Sequence, residues 1–420
     1  MLKIIGSTDE PALERLLKRR QTRWDRAEAT VTPILEAVRK RGDRALLEYA
    51  RKFDRLERAS LRIPAAELAS AEKELPKDLR RAIQTASRQI RRFAELQKPR
   101  SWTKSIGGAK LGQIVRPLSS VAAYVPGGRY PLPSTLMMTV IPAQVADVPI
   151  VSVASPGPSP ATLGAAGYLG VSNFFHMGGA QAIAAFAFGT ESVPRAERIV
   201  GPGNIYVAAA KKLLAGSVGI DFFAGPTEIL LIAPKEATKK DARGLAADML
   251  AQAEHDVDAS AVLLTTSKRL ARWVAAEVSR QLETLTTREV ASKSIARNSA
   301  VIVVSSSDEA MELANRFAPE HLSVPDASWL DSVKNAGSIF VGSWSPEAAG
   351  DYASGPNHVL PTGGGATLRG GLSVLDYVKI ISVQELNEKS LRALAPAITT
   401  LARAEGLEAH ARSIEARLDG

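Results

Sequence analysis

The sequence predicts an α/β protein with two doubly wound parallel-sheet domains of incomplete Rossmann-like type and helical appendages at the N-terminus and C-terminus. Three observations lead to this prediction. Short apolar strands alternate with helices from about residue 121 onwards, residues 1–100 show helical periodicity, and helical patterns return after about residue 371. Because strand–helix repeats place helices on both faces of a parallel sheet, each of the two central blocks is expected to form one such sheet.

The first hundred residues are expected to be helical. Thr8 and Asp9 precede Pro11, and this order is typical of a helix start. Apolar residues then recur at helical spacing at 31–38, 46–53 and 83–93, with Gly42 as a stop signal between the first two stripes. These helices need another element against which to bury their apolar faces.

Two strand–helix blocks follow, and their bounds give the predicted domains. The first block has strands at 121–125, 150–153, 174–177 and 198–200, and the second at 229–232, 261–264, 301–304 and 338–341. After about residue 371 the strand pattern stops, and 386–418 are expected to be helical. The predicted domains are an N-terminal segment (1–21), a discontinuous α/β domain (22–120 and 229–371), a second α/β domain (121–228) and a C-terminal tail (372–420).

Composition excludes several classes of protein. The chain has 420 residues, a net charge of +9 and no cysteine, which excludes disulfides, thiolate metal sites and a cysteine nucleophile. The basic runs lie before residue 110, alternate with acidic residues on helical patterns and have no aromatic partners, so exposed helix faces are favoured over a nucleic-acid site. The charge-free run 148–190 is broken by Pro and Gly, which argues against a membrane span, and the N-terminus does not resemble a signal peptide, so a cytoplasmic location is expected.

The five histidines point to metal or acid–base chemistry. Gln252 and His255 lie three residues apart at the end of a helix predicted from about Thr238, so they share a face and could form half of a metal site. The alternative for His255 is a cap that complements the helix dipole. His176 lies in an apolar run, where packing at a strand end is expected, and the other four are close in sequence to carboxylates: His255, His321, His358 and His410.

Two further stretches place acids beside histidines. Glu320 and His321 are adjacent after a predicted helix, where they could act as an acid–base pair or could belong to a surface loop. Asp351 and His358 lie in a turn-rich loop and could both reach a metal near His255. His410 lies far along the chain, so its participation requires that the tail fold back or cross a dimer interface.

Three glycine-rich turns suggest a dinucleotide. They span 125–129, 177–181 and 200–204, and each follows a strand and opens a helix. Backbone N–H groups at such a helix start can receive a pyrophosphate at the carboxyl ends of the strands. Each turn alone is better explained as a tight turn, but three in one domain make dinucleotide binding plausible.

These motifs, in this order and spacing, resemble those of histidinol dehydrogenase, and the resemblance covers nearly the whole chain. The tail Ala-Glu405-Gly-Leu-Glu-Ala-His410 is also similar to that family. The other motifs are Tyr124-Val-Pro-Gly-Gly, Gly-Gly-Ala-Gln181, Gly-Pro-Gly-Asn204, Ala-Gln252-Ala-Glu-His255, Ala-Pro-Glu320-His321-Leu and Gly-Asp351-Tyr-x-x-Gly-Pro-Asn-His358.

The resemblance implies a zinc- and NAD-dependent enzyme, usually a homodimer, that oxidises L-histidinol to L-histidine through L-histidinal in the last steps of histidine biosynthesis. It implies one zinc ion per subunit, a site shared between subunits, NAD binding by 121–228, and metal and catalytic loops in the discontinuous domain. Glu320 and His321 would be the acid–base pair. Thr227, which replaces a common Ser, is an implied substrate contact. The implied zinc ligands, which also contact substrate, are Gln252, His255 and Asp351, together with His410 from the neighbouring subunit. The other implied substrate contacts are His321, His358 and Glu405. The implied NAD contacts are Tyr124, Gln181 and Asn204.

The absence of cysteine shapes the expected mechanism. An aldehyde that cannot form a thiohemiacetal must add water directly before its oxidation. His321 is therefore expected to remove the alcohol proton in the first step, and Glu320, with His321, to activate water in the second. The alternatives are a family relative that oxidises a different small amino or sulfo alcohol with NAD, and a nucleic-acid-binding protein on an inactive enzyme fold. Retention of Asp351, His358, Glu405 and His410 argues against the first of these.

Overall fold

The computed structural model describes residues 1–19, 24–127 and 130–419. The strands are β1 (Lys3–Gly6), β2 (Arg62–Ile63), β3 (Trp102–Ile106), β4 (Ala109–Pro117), β5 (Ser120–Tyr124), β6 (Ile150–Ser155), β7 (Asn173–His176), β8 (Arg198–Val200), β9 (Gly219–Ile220), β10 (Glu228–Ala233), β11 (Ser260–Thr265), β12 (Ala300–Val303), β13 (His321–Val324), β14 (Ser338–Val341) and β15 (Val378–Glu385). The helices are α1 (Glu10–Arg19), α2 (Trp24–Arg41), α3 (Asp43–Phe53), α4 (Ala65–Glu74), α5 (Lys77–Gln97), α6 (Pro133–Val145), α7 (Pro160–Tyr168), α8 (Gly179–Phe188), α9 (Ile205–Leu214), α10 (Lys239–Ala253), α11 (Lys268–Leu282), α12 (Arg288–Asn298), α13 (Ser307–Phe317), α14 (Glu347–Tyr352), α15 (Glu388–Ala404) and α16 (Glu408–Glu415).

The chain divides into two compact units. The larger unit comprises residues 1–97 and 119–377 and contains both parallel sheets, and the smaller one comprises residues 98–118 and 378–420. The predicted α/β class with two parallel-sheet domains is confirmed.

Sheet A is a six-stranded parallel sheet in the order β1-β12-β11-β10-β13-β14. Successive residues of β10 face opposite cores, with Leu231 packed against α10, α11 and α12 and Leu230 against α1 and α13. The four predicted strands of this block are confirmed. Sequence reasoning missed β1 and β13, because four-residue strands beside helical or Pro-containing segments carry too little periodicity.

Sheet B has the order β2-β7-β6-β5-β8-β9 and is parallel except at β2. The chain leaves β5 towards β6 and β7 and then crosses back to β8, so β5 and β8 flank the point where the strand order reverses. Ligands of doubly wound sheets bind beside this switch point.

Helices α2 and α3 cover sheet B. Val31, Leu35 and Val38 of α2 share one core with Phe175 and with Ile183 of α8. This packing differs from the predicted division, which grouped 22–120 with 229–371. The apolar stripe predicts that α2 has a buried face, but it carries no information about which sheet that face covers.

The smaller unit is only partly helical. Helices α15 and α16 pack against each other, as the predicted helical tail requires. However, β15 pairs with β4 in an antiparallel sheet of order β15-β4-β3, so the prediction that strands stop after about residue 371 was wrong. Six of the eight residues of β15 are exposed and the other two are partly buried. The strand therefore lacks the alternation of buried and exposed side chains from which a strand is predicted.

No helix in the described ranges is both long enough and apolar enough to cross a membrane.

Candidate active site

A cluster of histidines and carboxylates lies at the amino ends of the strands of sheet A. Glu228 is the first residue of β10 and His321 is the first residue of β13, and these residues are on neighbouring strands. Gln252 lies in the last turn of α10, and Asp351 lies in α14. Ligand sites of doubly wound sheets are expected at the carboxyl ends of strands, so this cluster lies on the opposite edge of its sheet.

The backbone of Glu228 holds the predicted acid–base pair together. Its N–H donates to Glu320 Oε2 at 2.9 Å, and its carbonyl oxygen lies 3.1 Å from His321 Nδ1. Thr227 Oγ1 donates to the same Glu320 oxygen at 2.5 Å. As a result, His321 Nδ1 lies 3.8 Å from Glu320 Oε2, with both side chains buried.

Burial sets the protonation of this pair. It lowers the pKa of His321 to about 3, so the imidazole is neutral near neutral pH. Since Nδ1 faces the Glu228 carbonyl, we assign the proton to Nδ1, which leaves the lone pair on Nε2. His321 Nε2 is buried and has no hydrogen-bond partner within the described residues, and burial raises the pKa of Glu320 well above its usual value. The neutral imidazole therefore has a lone pair available on Nε2, and the raised pKa makes Glu320, when it is ionised, a stronger base than an exposed carboxylate.

Asp351 connects the three histidines of this cluster. Its Oδ2 lies 3.8 Å from His255 Nε2, and its Oδ1 lies 3.9 Å from His321 Nε2. The backbone oxygen of Asp351 lies 2.7 Å from His358 Nδ1, and His358 Nε2 lies 3.3 Å from Thr135 Oγ1 at the start of α6. Burial raises the pKa of Asp351 and lowers that of His358 to about 4. The contact with Thr135 joins the cluster to the helix that follows β5.

Glu347 belongs to the cluster, and sequence reasoning missed it. Its carboxylate lies 3.3 Å from His321 Nδ1 and contacts the amide of Gln252, which also lies 2.8 Å from Thr227 Oγ1. Burial raises the pKa of Glu347 well above its usual value. One signal was available in the sequence: Glu347 precedes Asp351 by four residues, which places both on one face of a short helix.

The geometry supports a cation site but gives a partly different set of ligands from the predicted one. Ligand atoms of His321, Glu347 and Asp351 lie within 4.8 Å of one another, and only Asp351 is common to the two sets. Of the other predicted metal ligands, Gln252 and His255 belong to the same unit as this cluster, whereas His410 lies in α16 of the smaller unit. Glu405, a predicted substrate contact, caps the C-terminus of α15 in that smaller unit, and both Glu405 and His410 are exposed.

A cavity of about 750 Å³ lies at the carboxyl ends of the strands of sheet B. Its volume is within the range of roughly 300–1,000 Å³ that is typical of cofactor sites. The three predicted NAD contacts, Tyr124, Gln181 and Asn204, all line it. Phe53 and Tyr206 also line it and are about half exposed, but no sequence pattern marked them as candidates.

In two of the glycine-rich turns, backbone N–H groups donate hydrogen bonds to side chains of the protein. Gly178 N donates to Asp54 and Gly179 N donates to Tyr124 Oη, at 2.8 and 3.1 Å. In the next turn, Gly201 N donates to Asp221 at 2.7 Å, and the Asn204 side chain caps the start of α9.

Gly201 also has φ near 106°, and a Cβ there would lie 2.2 Å from the Tyr124 carbonyl oxygen. Its conformation and this close approach both require glycine. The N–H groups of Gly178, Gly179 and Gly201 therefore stabilise tight turns. In the remaining turn, residues 128 and 129 lie outside the described residues.

The comparisons with known proteins agree with one another. The family profile of histidinol dehydrogenase matches residues 17–418. The histidinol dehydrogenase of Halalkalibacterium halodurans is 45% identical over 427 residues, which cover 100% of this chain and 99% of that protein. The histidinol dehydrogenase of Thermus thermophilus is 48% identical over 394 residues, with 93% and 94% covered. A crystal structure of histidinol dehydrogenase from Elizabethkingia anophelis superposes with a TM-score of 0.94 at 34% identity and covers 100% of this chain and 98% of that chain.

Proposed function

The chain belongs to the histidinol dehydrogenase family, and from this premise we propose that it oxidises L-histidinol to L-histidine through L-histidinal, using two NAD⁺ and one zinc ion per subunit. The observation that carries the proposal is the environment of His321. The neutral imidazole has a buried Nε2 that has no hydrogen-bond partner among the described residues and lies 3.9 Å from Asp351 Oδ1, while its Nδ1 lies 3.8 Å from Glu320 Oε2. His321 also lines a cavity of about 390 Å³. A general base for an alcohol needs such a lone pair.

The residues of the cluster fit a zinc ion with nitrogen and oxygen ligands. Glu320, Glu347 and Asp351 are crowded together and largely buried, and burial raises the pKa of each, so a cation would offset the cost of their charges. His255 Nε2 and Asp351 Oδ2, 3.8 Å apart, are close enough to share one ion.

We assign the metal to Gln252, His255 and Asp351, with His410 supplied by a second copy of the chain in a homodimer. When bound, zinc would supply a fixed charge that orients the imidazole and amine of histidinol. Glu405 of the second copy and His358 would contact the same substrate. Thr227 would act both on the substrate and on Glu320, because its hydroxyl already donates to that carboxylate.

Each of the two oxidations needs one proton acceptor. In the first, His321 Nε2 accepts the hydroxyl proton while the carbinol carbon transfers a hydride to NAD⁺, which gives the aldehyde. Glu320, with His321, then accepts a proton from the water that adds to the aldehyde. The resulting anion of the hydrate transfers the second hydride to a second NAD⁺ and becomes the carboxylic acid.

NAD would occupy the cavity at the carboxyl ends of sheet B, in contact with Tyr124, Gln181 and Asn204. The switch point of sheet B lies at this cavity, and α6 leads from it to the cluster through the contact of Thr135 with His358. This arrangement supports a nicotinamide position near α6, within reach of the substrate. A cytoplasmic location stays a prediction.

The test is the yield of NADH from L-histidinol. Two NADH per histidinol, with activity lost on dialysis against a chelator and regained on addition of zinc, are the expected results. NADH formation by the metal-replete enzyme from another small amino alcohol, with none from histidinol, would overturn the assignment of the substrate. Full activity after metal content has fallen to zero would overturn the assignment of the metal.

A further inference from the structure

Asp54 places a buried carboxylate at the edge of the cavity of sheet B. It follows α3 directly, and its Oδ2 accepts hydrogen bonds from Gly178 N at 2.8 Å and from Gln181 Nε2 at 3.1 Å. Its backbone oxygen lies 2.9 Å from Nε2 of His176, the last residue of β7. Asp54 is only 7% exposed, so these contacts hold its side chain in one orientation.

The other carboxylate oxygen of Asp54 is available to a ligand. Asp54 lines the cavity of about 750 Å³, and across the ranges that the structure describes no hydrogen bond ends on Oδ1. Both donors to Oδ2 stabilise the charged form, although burial raises the pKa of Asp54. The cavity therefore has a fixed hydrogen-bond acceptor in its wall.

The position of this acceptor in sheet B suggests its partner. In doubly wound dinucleotide sites, an acidic residue near the end of the second strand binds the 2′-hydroxyl of the adenosine ribose. Here β5 and β6 are the first two parallel strands of sheet B in chain order, and β6 ends at Ser155, followed by Pro156 and Gly157, so no acidic residue stands at its end. Asp54 supplies a carboxylate beside Pro156 and Gly178, at the ends of β6 and β7, from a different segment of the chain.

We propose that Asp54 determines the selectivity of this site for a dinucleotide with a free ribose 2′-hydroxyl over one with a 2′-phosphate, an inference that rests on the proposed NAD-dependent function. The hydroxyl would donate to Asp54 Oδ1. A 2′-phosphate would meet a like charge that Gly178 and Gln181 hold in place, and such juxtaposition is costly. The adenosine end then lies towards β6 and β7, which leaves the nicotinamide end near α6 and Thr135.

Arg55 is the residue that could favour a 2′-phosphate at this site. It also lines the cavity, is exposed and has φ near 56°. An arginine near the ribose can accommodate a 2′-phosphate. Because hydrogen bonds fix Asp54 whereas Arg55 is exposed, Asp54 and not Arg55 is expected to set the selectivity.

The experiment compares kcat/KM for NAD⁺ and NADP⁺ in the wild type, Asp54→Asn and Arg55→Gln. The asparagine oxygen can still accept from Gly178 and Gln181, while its NH2 group faces the cavity. In Asp54→Asn we expect the preference for NAD⁺ to fall at least about tenfold, with kcat for NAD⁺ largely retained. Arg55→Gln should leave that preference intact. An unchanged preference in a folded Asp54→Asn variant would overturn the inference, as would a preference controlled by Arg55.

A binding measurement on the wild type covers the case in which Asp54→Asn fails to fold. Calorimetry should detect the binding of AMP to the wild type. The dissociation constant for adenosine 2′,5′-bisphosphate should be at least about tenfold higher than that for AMP. Equal or tighter binding of the bisphosphate would refute the role of Asp54. Different results test the proposed function and the role of Asp54. If the wild type formed no NADH from histidinol, the proposed function would be refuted, but the comparison of AMP with the bisphosphate would still test Asp54.

Discussion

The replacement Glu320→Gln separates the two oxidation steps. Gln has the shape of Glu, so its amide oxygen can accept hydrogen bonds from Thr227 Oγ1 and Glu228 N. In the wild type these two donors lie 2.5 and 2.9 Å from Glu320 Oε2. Its NH2 group cannot accept a proton from water. His321 keeps its contact with the Glu228 carbonyl, so the base for the first step remains.

The expected magnitude follows from the role of a general base. Loss of such a group slows a step by roughly 10²–10⁴-fold, which corresponds to about 2.7–5.4 kcal/mol in the activation free energy. Only the second hydride transfer should change by this amount. The melting temperature should change little, because both hydrogen bonds to residue 320 are retained.

The assay is a single turnover with enzyme and NAD⁺ in excess over histidinol, followed by NADH absorbance. The wild type should give two NADH per histidinol, and Glu320→Gln should give the first at nearly the wild-type rate and the second slowly. The matched control is Glu289→Gln on α12, where the side chain is 84% exposed, and it should behave as the wild type. Equal slowing of both phases, or no slowing of the second, would refute the division of labour between Glu320 and His321.

Three further predictions concern stability, the cofactor site and the dimer. Burial raises the pKa of Asp248 from 3.8 to about 6, so its contribution to stability is present below pH 3.8 and is lost as the pH rises through about 6. Asp248→Asn should remove that loss and should be more stable than the wild type near pH 8 by up to about 3 kcal/mol in urea unfolding. Lys211→Met should cost roughly 3–5 kcal/mol and raise KM for NAD⁺, because it leaves buried Asp221 without its partner at 2.7 Å. If the site is shared between subunits, an equal mixture of inactive His255→Asn and His410→Asn variants, after subunit exchange, should regain about one quarter of wild-type activity, since half of the dimers would then have one intact site of two.

Each of these predictions has a control or an opposing outcome. Lys212→Met removes a neighbouring lysine whose side chain is 42% exposed and should cost little by comparison. Identical pH dependence of unfolding in the wild type and Asp248→Asn would show that the carboxyl group is not destabilised by burial. Absence of any regained activity in mixtures that have demonstrably exchanged subunits would place the two histidines in the same subunit's site or in none.

Elements with strong periodicity were predictable from the sequence. Strands β8 and β14 begin and end where the sequence places them, because their apolar runs are bounded by Gly or polar residues. The capping box formed by Thr238 and Asp241 explains the start of α10 in the same local way. Strands without such a pattern, such as β15, depend on a partner strand far along the chain.

The sequence by itself determined the α/β class, the family and the residue types available for chemistry, since these follow from local pattern and motif spacing. Only the tertiary structure decided which groups meet. It brought Glu347 against His321, placed both the N–H and the carbonyl of Glu228 on the acid–base pair, and satisfied the amides of two glycine-rich turns with side chains. The physical reason is that burial and hydrogen-bond partners depend on contacts between distant segments. Asp54, which lies 124 residues before Gly178, is one example.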